Sequence, residues 1–301
     1  MNRLCNICPR QCNILRGSFD GSGNKLLGVC RAPSEPVVAR AGLHFWEEPV
    51  ISGERGSGTV FFSGCNLKCV YCQNYNISTH VEGKVITLER LQKIYCELIE
   101  RGAHNINLVT PTHYSKVILQ SLEKPLPVPV VYNTNSYDSV ETLKLFEGRA
   151  NIYLADYKYS DNHLGKRYSA VSDYAETAWA AIREMYRQTG PYVIDENNIM
   201  QKGVIIRHLI LPNAVENTLR TIEMVAKTFA PGEVLFSLMR QYLPYGQVSD
   251  EHYPELNRRV SDEEYALIED ALFASGIEDG FVQDESSASQ DFIPCFDGSG
   301  V

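Results

Sequence analysis

The sequence predicts an α/β domain built on a parallel, curved sheet and preceded by a small cysteine-rich lobe. Nearly continuous apolar, β-rich runs are typical of parallel strands that are covered on both faces. They lie at 58–62, 105–109, 128–133, 151–156, 203–211 and 234–239. Helical patterns alternate with these runs, which is the arrangement of consecutive strand–helix units.

The helical segments are predicted from apolar faces and from signals at their ends. Thr87 is the N-cap candidate of residues 87–101, and Gly102 ends them. Residues 261–275 open with the capping box Ser261-Asp262-Glu263-Glu264. The predicted helices cover 87–101, 113–123, 138–147, 174–189, 216–229 and 261–275. In a parallel sheet of this kind, we expect the chemistry at the carboxyl ends of the strands.

Composition and charge exclude several classes of partner. The 301 residues carry 28 Lys and Arg against 37 Asp and Glu, a net charge of −9. A nucleic acid or an anionic membrane would require a basic face, so neither is expected as the main partner. No run of about 18 apolar residues is present, and the segment MNRLCNICPR has no apolar signal region. We therefore expect a cytoplasmic protein.

Three of the nine cysteines follow the first predicted strand in the segment GTVFFSGCNLKCVYCQN. Cys65, Cys69 and Cys72 have the spacing Cys-x3-Cys-x2-Cys. Three thiolates on a short loop suit a compact soft metal centre, and the missing fourth cysteine leaves a coordination position open. The alternative is a zinc knuckle with a distant fourth ligand.

This motif resembles the signature of the radical S-adenosylmethionine (radical SAM) superfamily, in which an aromatic residue, here Tyr71, precedes the last cysteine. The resemblance implies that three cysteines hold a 4Fe–4S cluster whose fourth iron binds the amino and carboxylate groups of SAM. Electron transfer from the reduced cluster then cleaves SAM and yields a 5′-deoxyadenosyl radical. The implied fold is a partial (β/α)6, TIM-like barrel over roughly residues 55–275.

The closer resemblance is to the glycyl-radical-enzyme activating group, in its uncharacterised branch similar to pyruvate formate-lyase activating enzyme. It rests on the stretches CNICPRQC, HFWEEPVISGERGSG, CVYCQN, NINLVTPTHY, VVYNTNSYD, IYLADYKY, RHLILP and SLMRQYLP. It implies hydrogen abstraction from a glycine of a partner protein, a glycyl radical enzyme, with a reductant such as flavodoxin or ferredoxin. The alternatives are radical modification of a small molecule or another peptide, a non-catalytic Fe–S electron-transfer protein, and a zinc-stabilised adaptor.

Polar residues at the strand ends are candidates for binding SAM, together with Tyr71. They are Thr110, Thr112, Asn133, Asn135, Asp156, Lys158 and Arg207. Thr110 and Thr112 stand where the activating enzymes carry a Gly-Gly-Glu-Pro-like turn that contacts the methionine amino group. The alternative for Thr112 is the N-cap of a helix.

The later strand ends resemble the family in two further turns. Asn133-Thr134-Asn135 is similar to the Thr-Asn-Gly turn near the ribose, although Asn is also a common turn former. Asp156-Tyr157-Lys158 is similar to an Asp-x-Lys motif, in which the lysine suits the cofactor carboxylate; the alternative is an ion pair at the rim.

Arg207 interrupts an apolar strand, so it is predicted to meet either the cofactor carboxylate or a structural carboxylate. His208 alternates to the other face and has the position of a hydrogen-bonded core histidine.

Four cysteines in the first thirty residues predict a second metal site. Cys5, Cys8 and Cys12 lie together, and seventeen residues separate Cys12 from Cys30. Four soft ligands suit an Fe–S cluster and zinc equally, with a disulfide as a minor alternative. The predicted division of the chain is a metal-binding lobe at 1–50, the barrel at 51–276, and a cap or tail at 277–301.

Overall fold

The computed structural model describes residues 4–17, 27–283 and 294–301. The predictions made for the remaining parts of the lobe and the tail lie outside the described residues. The strands are β1 (Val37–His44), β2 (Ser57–Phe62), β3 (Lys84–Val85), β4 (Ile106–Val109), β5 (Val130–Thr134), β6 (Ile152–Asp156), β7 (Val193–Ile194), β8 (Met200–Leu209), β9 (Leu235–Met239) and β10 (Gly280–Val282). The helices are α1 (Pro49–Ser52), α2 (Tyr75–His80), α3 (Leu88–Glu100), α4 (Ser115–Ser121), α5 (Val140–Lys144), α6 (Asn162–Ser169), α7 (Tyr174–Thr189), α8 (Val215–Thr228) and α9 (Asp262–Ala274).

The strands form one open sheet in the order β10-β9-β8-β6-β5-β4-β2-β1-β3, with β7 paired to β8 outside this path. Every neighbouring pair from β2 to β10 along this order is parallel, whereas β1 is antiparallel to both β2 and β3. The predicted apolar runs become β2, β4, β5, β6, β8 and β9, so the predicted α/β partial barrel is confirmed.

The sheet also extends into segments that carry no continuous apolar run. β1 mixes alanine, glycine and arginine with its valines, and it lies within the predicted lobe. β10 has only three residues and lies within the predicted tail. Periodicity cannot identify such segments, because pairing to a neighbour determines their conformation.

The predicted helices appear with small shifts. Thr87 caps α3 by accepting a hydrogen bond from the Arg90 backbone N–H at 3.2 Å. The predicted helix at 113–123 is instead a 3₁₀ turn at 112–114 followed by α4, and the one at 138–147 shortens to α5. The short helices α1, α2 and α6 were not predicted.

The amino ends of the strands are filled by an apolar cluster to which α1 contributes Val50 and Ile51. The strand residues of this cluster are Val131, Ile152, Leu154, Met200, Ile205 and Leu235. Towards the carboxyl ends, the same face of the sheet becomes polar, with Asn133 on β5, Asp156 on β6 and Arg207 on β8. The fold therefore closes one end of the barrel and opens a polar cavity at the other.

Candidate active site

A cavity of about 260 Å³ lies at the carboxyl ends of the parallel strands. Cys65, Cys69 and Cys72 line it, on the loop that joins β2 to α2. Seven of the eight predicted SAM-binding residues also line it: Tyr71, Thr110, Asn133, Asn135, Asp156, Lys158 and Arg207. Residues that are distant in the sequence thus meet in one cavity.

The cysteine loop is held by backbone contacts to the end of α6. Lys68 N–H donates to the Ser169 carbonyl at 3.2 Å, and Val70 N–H donates to the Tyr168 carbonyl at 2.9 Å. Gly64 precedes the first cysteine with φ of +89°, and a Cβ there would lie 2.7 Å from the Cys30 carbonyl oxygen. Only glycine fits this position, because the backbone is left-handed and another segment passes close to it.

Each cysteine sulfur of the loop accepts a hydrogen bond from a different part of the chain. Asn135 Nδ2 lies 3.4 Å from Cys65 Sγ, Ser169 Oγ lies 3.0 Å from Cys69 Sγ, and Ser78 Oγ lies 3.5 Å from Cys72 Sγ. The sequence analysis missed both serines. Hydrogen bonds of this kind orient the ligands of a cluster and adjust its reduction potential.

The chemistry of these thiols fits an iron–sulfur cluster. Burial, followed by the charges of Cys69 and Cys72, raises the pKa of the Cys65 thiol to about 12. Burial also raises the pKa of Cys72. The thiolates of Cys65 and Cys72 are therefore stable here only with a strong positive charge beside them, which iron would supply.

Arg207 lines the cavity and is paired with carboxylates of the chain itself. Its Nε lies 2.8 Å from Asp156 Oδ1, its Nη1 lies 2.9 Å from Glu47 Oε2, and its Nη2 lies 2.7 Å from Asn133 Oδ1. Each of its three nitrogen atoms has a partner, so the structure contains the structural carboxylates that were one of the two predicted partners.

Glu47 and Glu48 were missed by the sequence analysis as individual site residues. Glu47 Oε1 also accepts hydrogen bonds at 3.1 Å from Asn107 Nδ2 and Asn133 Nδ2. Glu48 is buried, and its burial raises the pKa of its carboxyl group. These residues precede α1, and the only sequence signal for them was the stretch HFWEEPVISGERGSG.

Asp156 and Lys158 form an ion pair of 2.8 Å that borders the cavity, each side chain with 17% exposure. Burial alone would lower the pKa of Lys158, but Asp156 and Cys69 raise it. Burial alone would raise the pKa of Asp156, but Arg207 and Lys158 lower it. Both groups therefore stay charged within the cavity wall.

Thr112 and Asn135 differ from their predicted roles. Thr112 does not line the cavity, because the 3₁₀ turn buries its side chain completely, and it forms no capping hydrogen bond either. The Asn135 amide is engaged by the cysteine loop, since Nδ2 also donates to Asn66 Oδ1 at 2.9 Å. Thr110 remains at the cavity with a left-handed φ of 58°.

A second, smaller cavity brings together Cys5, Cys8, Cys12 and Cys30. Two separate stretches of the lobe supply these thiols, and His113 of the barrel also lines the cavity. Within the described ranges, no three His, Cys, Asp or Glu side chains are spaced to share a single metal ion.

Comparisons with known proteins agree with the cluster loop. Residues 51–118, which include the three loop cysteines, match the 4Fe–4S single cluster domain family. The chain is 31% identical over 280 residues to the uncharacterized protein MJ0674 of Methanocaldococcus jannaschii, covering 89% of this chain and 73% of that protein. The predicted 4Fe–4S cofactor is thereby confirmed, and the matched segment contains the three loop cysteines.

Two solved structures resemble the chain at low identity. SuiB of Streptococcus suis, bound to its precursor peptide SuiA, gives a TM-score of 0.48 at 13% identity. That alignment covers 73% of this chain and 46% of SuiB, so the chain spans less than half the length of SuiB. A spore photoproduct lyase gives a TM-score of 0.49 at 12% identity and covers 74% of both chains.

The three-cysteine loop lies within a matched cluster domain, at the carboxyl ends of a parallel partial barrel. The chain belongs to the same protein family as MJ0674, and it contains a segment that matches a 4Fe–4S single cluster domain.

Proposed function

We propose that the protein abstracts a hydrogen atom from a glycine of a partner protein, as a glycyl-radical-enzyme activating enzyme does. The observation that carries the proposal is one cavity that contains the three cluster thiols and the Asp156–Lys158 pair. When they are bound together, the reduced cluster and SAM supply a 5′-deoxyadenosyl radical. The stretches that resemble the activating group support glycine as the site of abstraction.

Different residues of the cavity bind different parts of the cluster and of SAM. Cys65, Cys69 and Cys72 hold three irons of the cluster. Lys158 binds the carboxylate of SAM, because an ammonium has three donors and Asp156 occupies one of them. Thr110 contacts the amino group, and the ring of Tyr71 borders the cofactor from the cluster loop.

The wall of the cavity supports a protein or peptide substrate. Trp46 lines it with 62% of its surface exposed, and Gln241 lines it as well. An exposed tryptophan beside a binding cavity is a frequent contact residue for protein partners. No helix in the described part of the chain is long and apolar enough to cross a membrane, and the net charge of −9 disfavours nucleic acid.

The first test is formation of 5′-deoxyadenosine. The full chain is reconstituted anaerobically with iron and sulfide, reduced with dithionite and mixed with SAM. We expect the wild type to form 5′-deoxyadenosine and Cys69→Ala to form none. Cys96→Ala is the matched control, because Cys96 is exposed on α3 and outside both cysteine sites. Equal product from Cys69→Ala and the wild type would contradict the assigned cluster ligands.

The second test identifies the atom that is abstracted. A glycyl radical enzyme produced with glycine deuterated at its α-carbon is incubated with the reconstituted protein, SAM, and reduced flavodoxin or ferredoxin. We expect deuterium in 5′-deoxyadenosine and a glycyl radical EPR signal that is a doublet with unlabelled glycine and collapses towards a single line with the deuterated glycine. If 5′-deoxyadenosine contains no deuterium with every glycyl radical enzyme that is tested, glycine abstraction is rejected. A small molecule or another peptide would then be favoured as the substrate.

A further inference from the structure

The four thiols of the lobe surround one cavity and approach it from two directions. Cys5, Cys8 and Cys12 lie on one stretch, whose ends are joined by hydrogen bonds from Cys5 N–H to the Ile14 carbonyl and from Asn13 N–H to the Cys5 carbonyl. Cys30 comes from the second stretch. Gly28 lies against the site, because a Cβ there would be 3.1 Å from Cys12 Sγ. The backbone is thus shaped around the thiols.

The lobe is docked onto the barrel beside the cluster loop. Arg10 Nε donates to the Asn66 carbonyl at 2.8 Å, next to Cys65, and Arg10 Nη1 donates to the Ala170 carbonyl at 2.6 Å. Arg16 donates to the carbonyls of Ala32 and His113. The two cysteine sites are therefore neighbours, since the Cys30 carbonyl also lies against Gly64.

Two buried nitrogen atoms beside the lobe have no hydrogen-bond partner among the described residues. His113 Nε2 lies 2.8 Å from the Ser63 carbonyl and must donate to it, so the unpartnered Nδ1 carries a lone pair. The second unpartnered atom is Lys68 Nζ. Unpaired buried groups are costly, and a thiolate-ligated metal centre in the lobe would give the Lys68 ammonium an anionic neighbour.

We propose that Cys5, Cys8, Cys12 and Cys30 bind a second 4Fe–4S cluster, distinct from the cluster on the barrel loop. Three bunched cysteines with one distant cysteine resemble ferredoxin ligation, whereas zinc sites favour pairs of cysteines. The four lobe thiols line a cavity, and among the described residues they are not spaced to share a single metal ion. The same is true of the three loop cysteines. A cluster holds its thiolates around a core of iron and sulfide, so its four ligands do not have to converge on a single ion.

The test removes the loop cluster and leaves the lobe intact. Full-length Cys65→Ala/Cys69→Ala/Cys72→Ala is reconstituted anaerobically with iron and sulfide, with zinc present in equal concentration. Iron, sulfide and zinc are then measured per chain, and the EPR spectrum of the reduced protein is recorded with and without SAM. We expect about four irons and four sulfides per chain, and a cluster signal that SAM does not change.

Reciprocal variants assign the ligands. Cys8→Ala/Cys12→Ala is expected to lose this cluster and to keep about four irons on the loop, whereas Cys96→Ala keeps about eight irons in total. One zinc per chain in the loop variant, or a protein without metal, would overturn the proposal. Should the loop variant fold poorly, the iron content of Gly28→Ala is compared with that of the wild type. About eight irons in the wild type and about four in Gly28→Ala support the proposal, whereas about four irons in both proteins overturn it. None of these results requires SAM cleavage, so they are independent of the proposed function.

Discussion

At the residue scale, a chain of hydrogen bonds runs from the cluster loop into the protein and returns to a cluster ligand. The Tyr71 hydroxyl lies 2.7 Å from the Tyr159 hydroxyl, which lies 2.8 Å from Ser169 Oγ. Ser169 then donates to Cys69 Sγ at 3.0 Å. The tyrosines are fully buried or nearly so, so they fix the direction in which the serine hydroxyl points.

Ser169→Ala is therefore expected to lower the reduction potential of the loop cluster. A hydrogen bond to a ligand sulfur stabilises the more negative reduced state, so its loss lowers the midpoint by an amount on the order of tens of millivolts. An EPR-monitored redox titration measures the midpoint. Ser169→Thr keeps the hydroxyl and serves as the control. Equal midpoints for Ser169→Ala and the wild type would show that this hydrogen bond does not act on the cluster.

His208 predicts an acid-sensitive stability. Its Nδ1 lies 2.6 Å from the Tyr157 carbonyl and its Nε2 lies 3.0 Å from Thr218 Oγ1, so the expected core histidine is confirmed. Burial lowers its pKa from 6.5 to about 4. The unfolded chain therefore binds a proton that the folded chain does not, and stability is lost as the pH falls from 6.5 towards 4.

The contribution of His208 falls by about 2 kcal/mol between pH 7 and pH 5. His208→Gln removes the titrating group, so its free energy of unfolding should change less between these two pH values. Urea denaturation of the metal-free protein at each pH measures the difference. The same pH dependence in the variant and the wild type would refute this assignment.

Local spacing made the three-cysteine loop visible in the sequence, but not the residues that contact it. Cys65, Cys69 and Cys72 lie within eight residues, so their pattern is visible in the sequence. Glu47 meets Arg207 across 160 residues, and Ser169 meets Cys69 across 100. No local pattern marks such pairs, because they form only when the barrel brings strand ends together.

At the element scale, the amino end of α9 has the capping box that was predicted for it. Ser261 Oγ accepts from the Glu264 N–H at 3.2 Å, and the Ser261 N–H donates to Glu264 Oε2 at 2.9 Å. Arg258 also donates to both Glu264 oxygens at 2.7 Å. The hydrogen bonds of Arg258 lower the pKa of Glu264 to about 2. The start of this helix is therefore fixed by charge as well as by capping.

Ser261→Ala is expected to reduce the free energy of unfolding by about 1 kcal/mol, because one N–H of the first turn loses its acceptor. Urea denaturation of the metal-free protein measures the change. Ser261→Thr retains a hydroxyl acceptor and should lose less. A loss that is as large for threonine as for alanine would mean that packing, and not capping, is responsible.

Long, regular elements were predictable and short ones were not. α3, α7, α8 and α9 have 13 to 16 residues, so their apolar faces repeat several times. α1 has four residues and shows less than one repeat of any pattern. Its helical turn depends on packing against the amino ends of the strands, and the residues that pack there are far from α1 in the sequence.

At the scale of the whole molecule, the lobe and the barrel share a contact centred on Arg10. Its guanidinium reaches the carbonyls of Asn66, Ser169 and Ala170, and it lies 5.7 Å from the centre of the Tyr137 ring. The segments that surround Arg10 are separated by about a hundred residues, so the docking of the lobe was not visible in the sequence.

Arg10→Gln is expected to loosen the lobe from the barrel. The shorter side chain loses the charge and most of these hydrogen bonds, so backbone amides in the stretch 5–16 should exchange with deuterium faster. Hydrogen exchange followed by mass spectrometry measures this. Arg31→Gln is the control, because the Arg31 side chain is exposed and, among the described residues, donates to the Thr79 carbonyl and not to the carbonyls that Arg10 reaches. Equal exchange in Arg10→Gln and Arg31→Gln would argue against a docking role for Arg10.

The apolar cluster around Val50 and Ile51 also determines from which end the cavity can be reached. It closes the amino end of the barrel, so under the proposed function SAM, substrate and products would all pass through the opening at the carboxyl end. A protein partner seated over that opening would keep spent cofactor inside until it departs. Turnover would then be ordered: SAM enters before the partner, and 5′-deoxyadenosine and methionine leave after it.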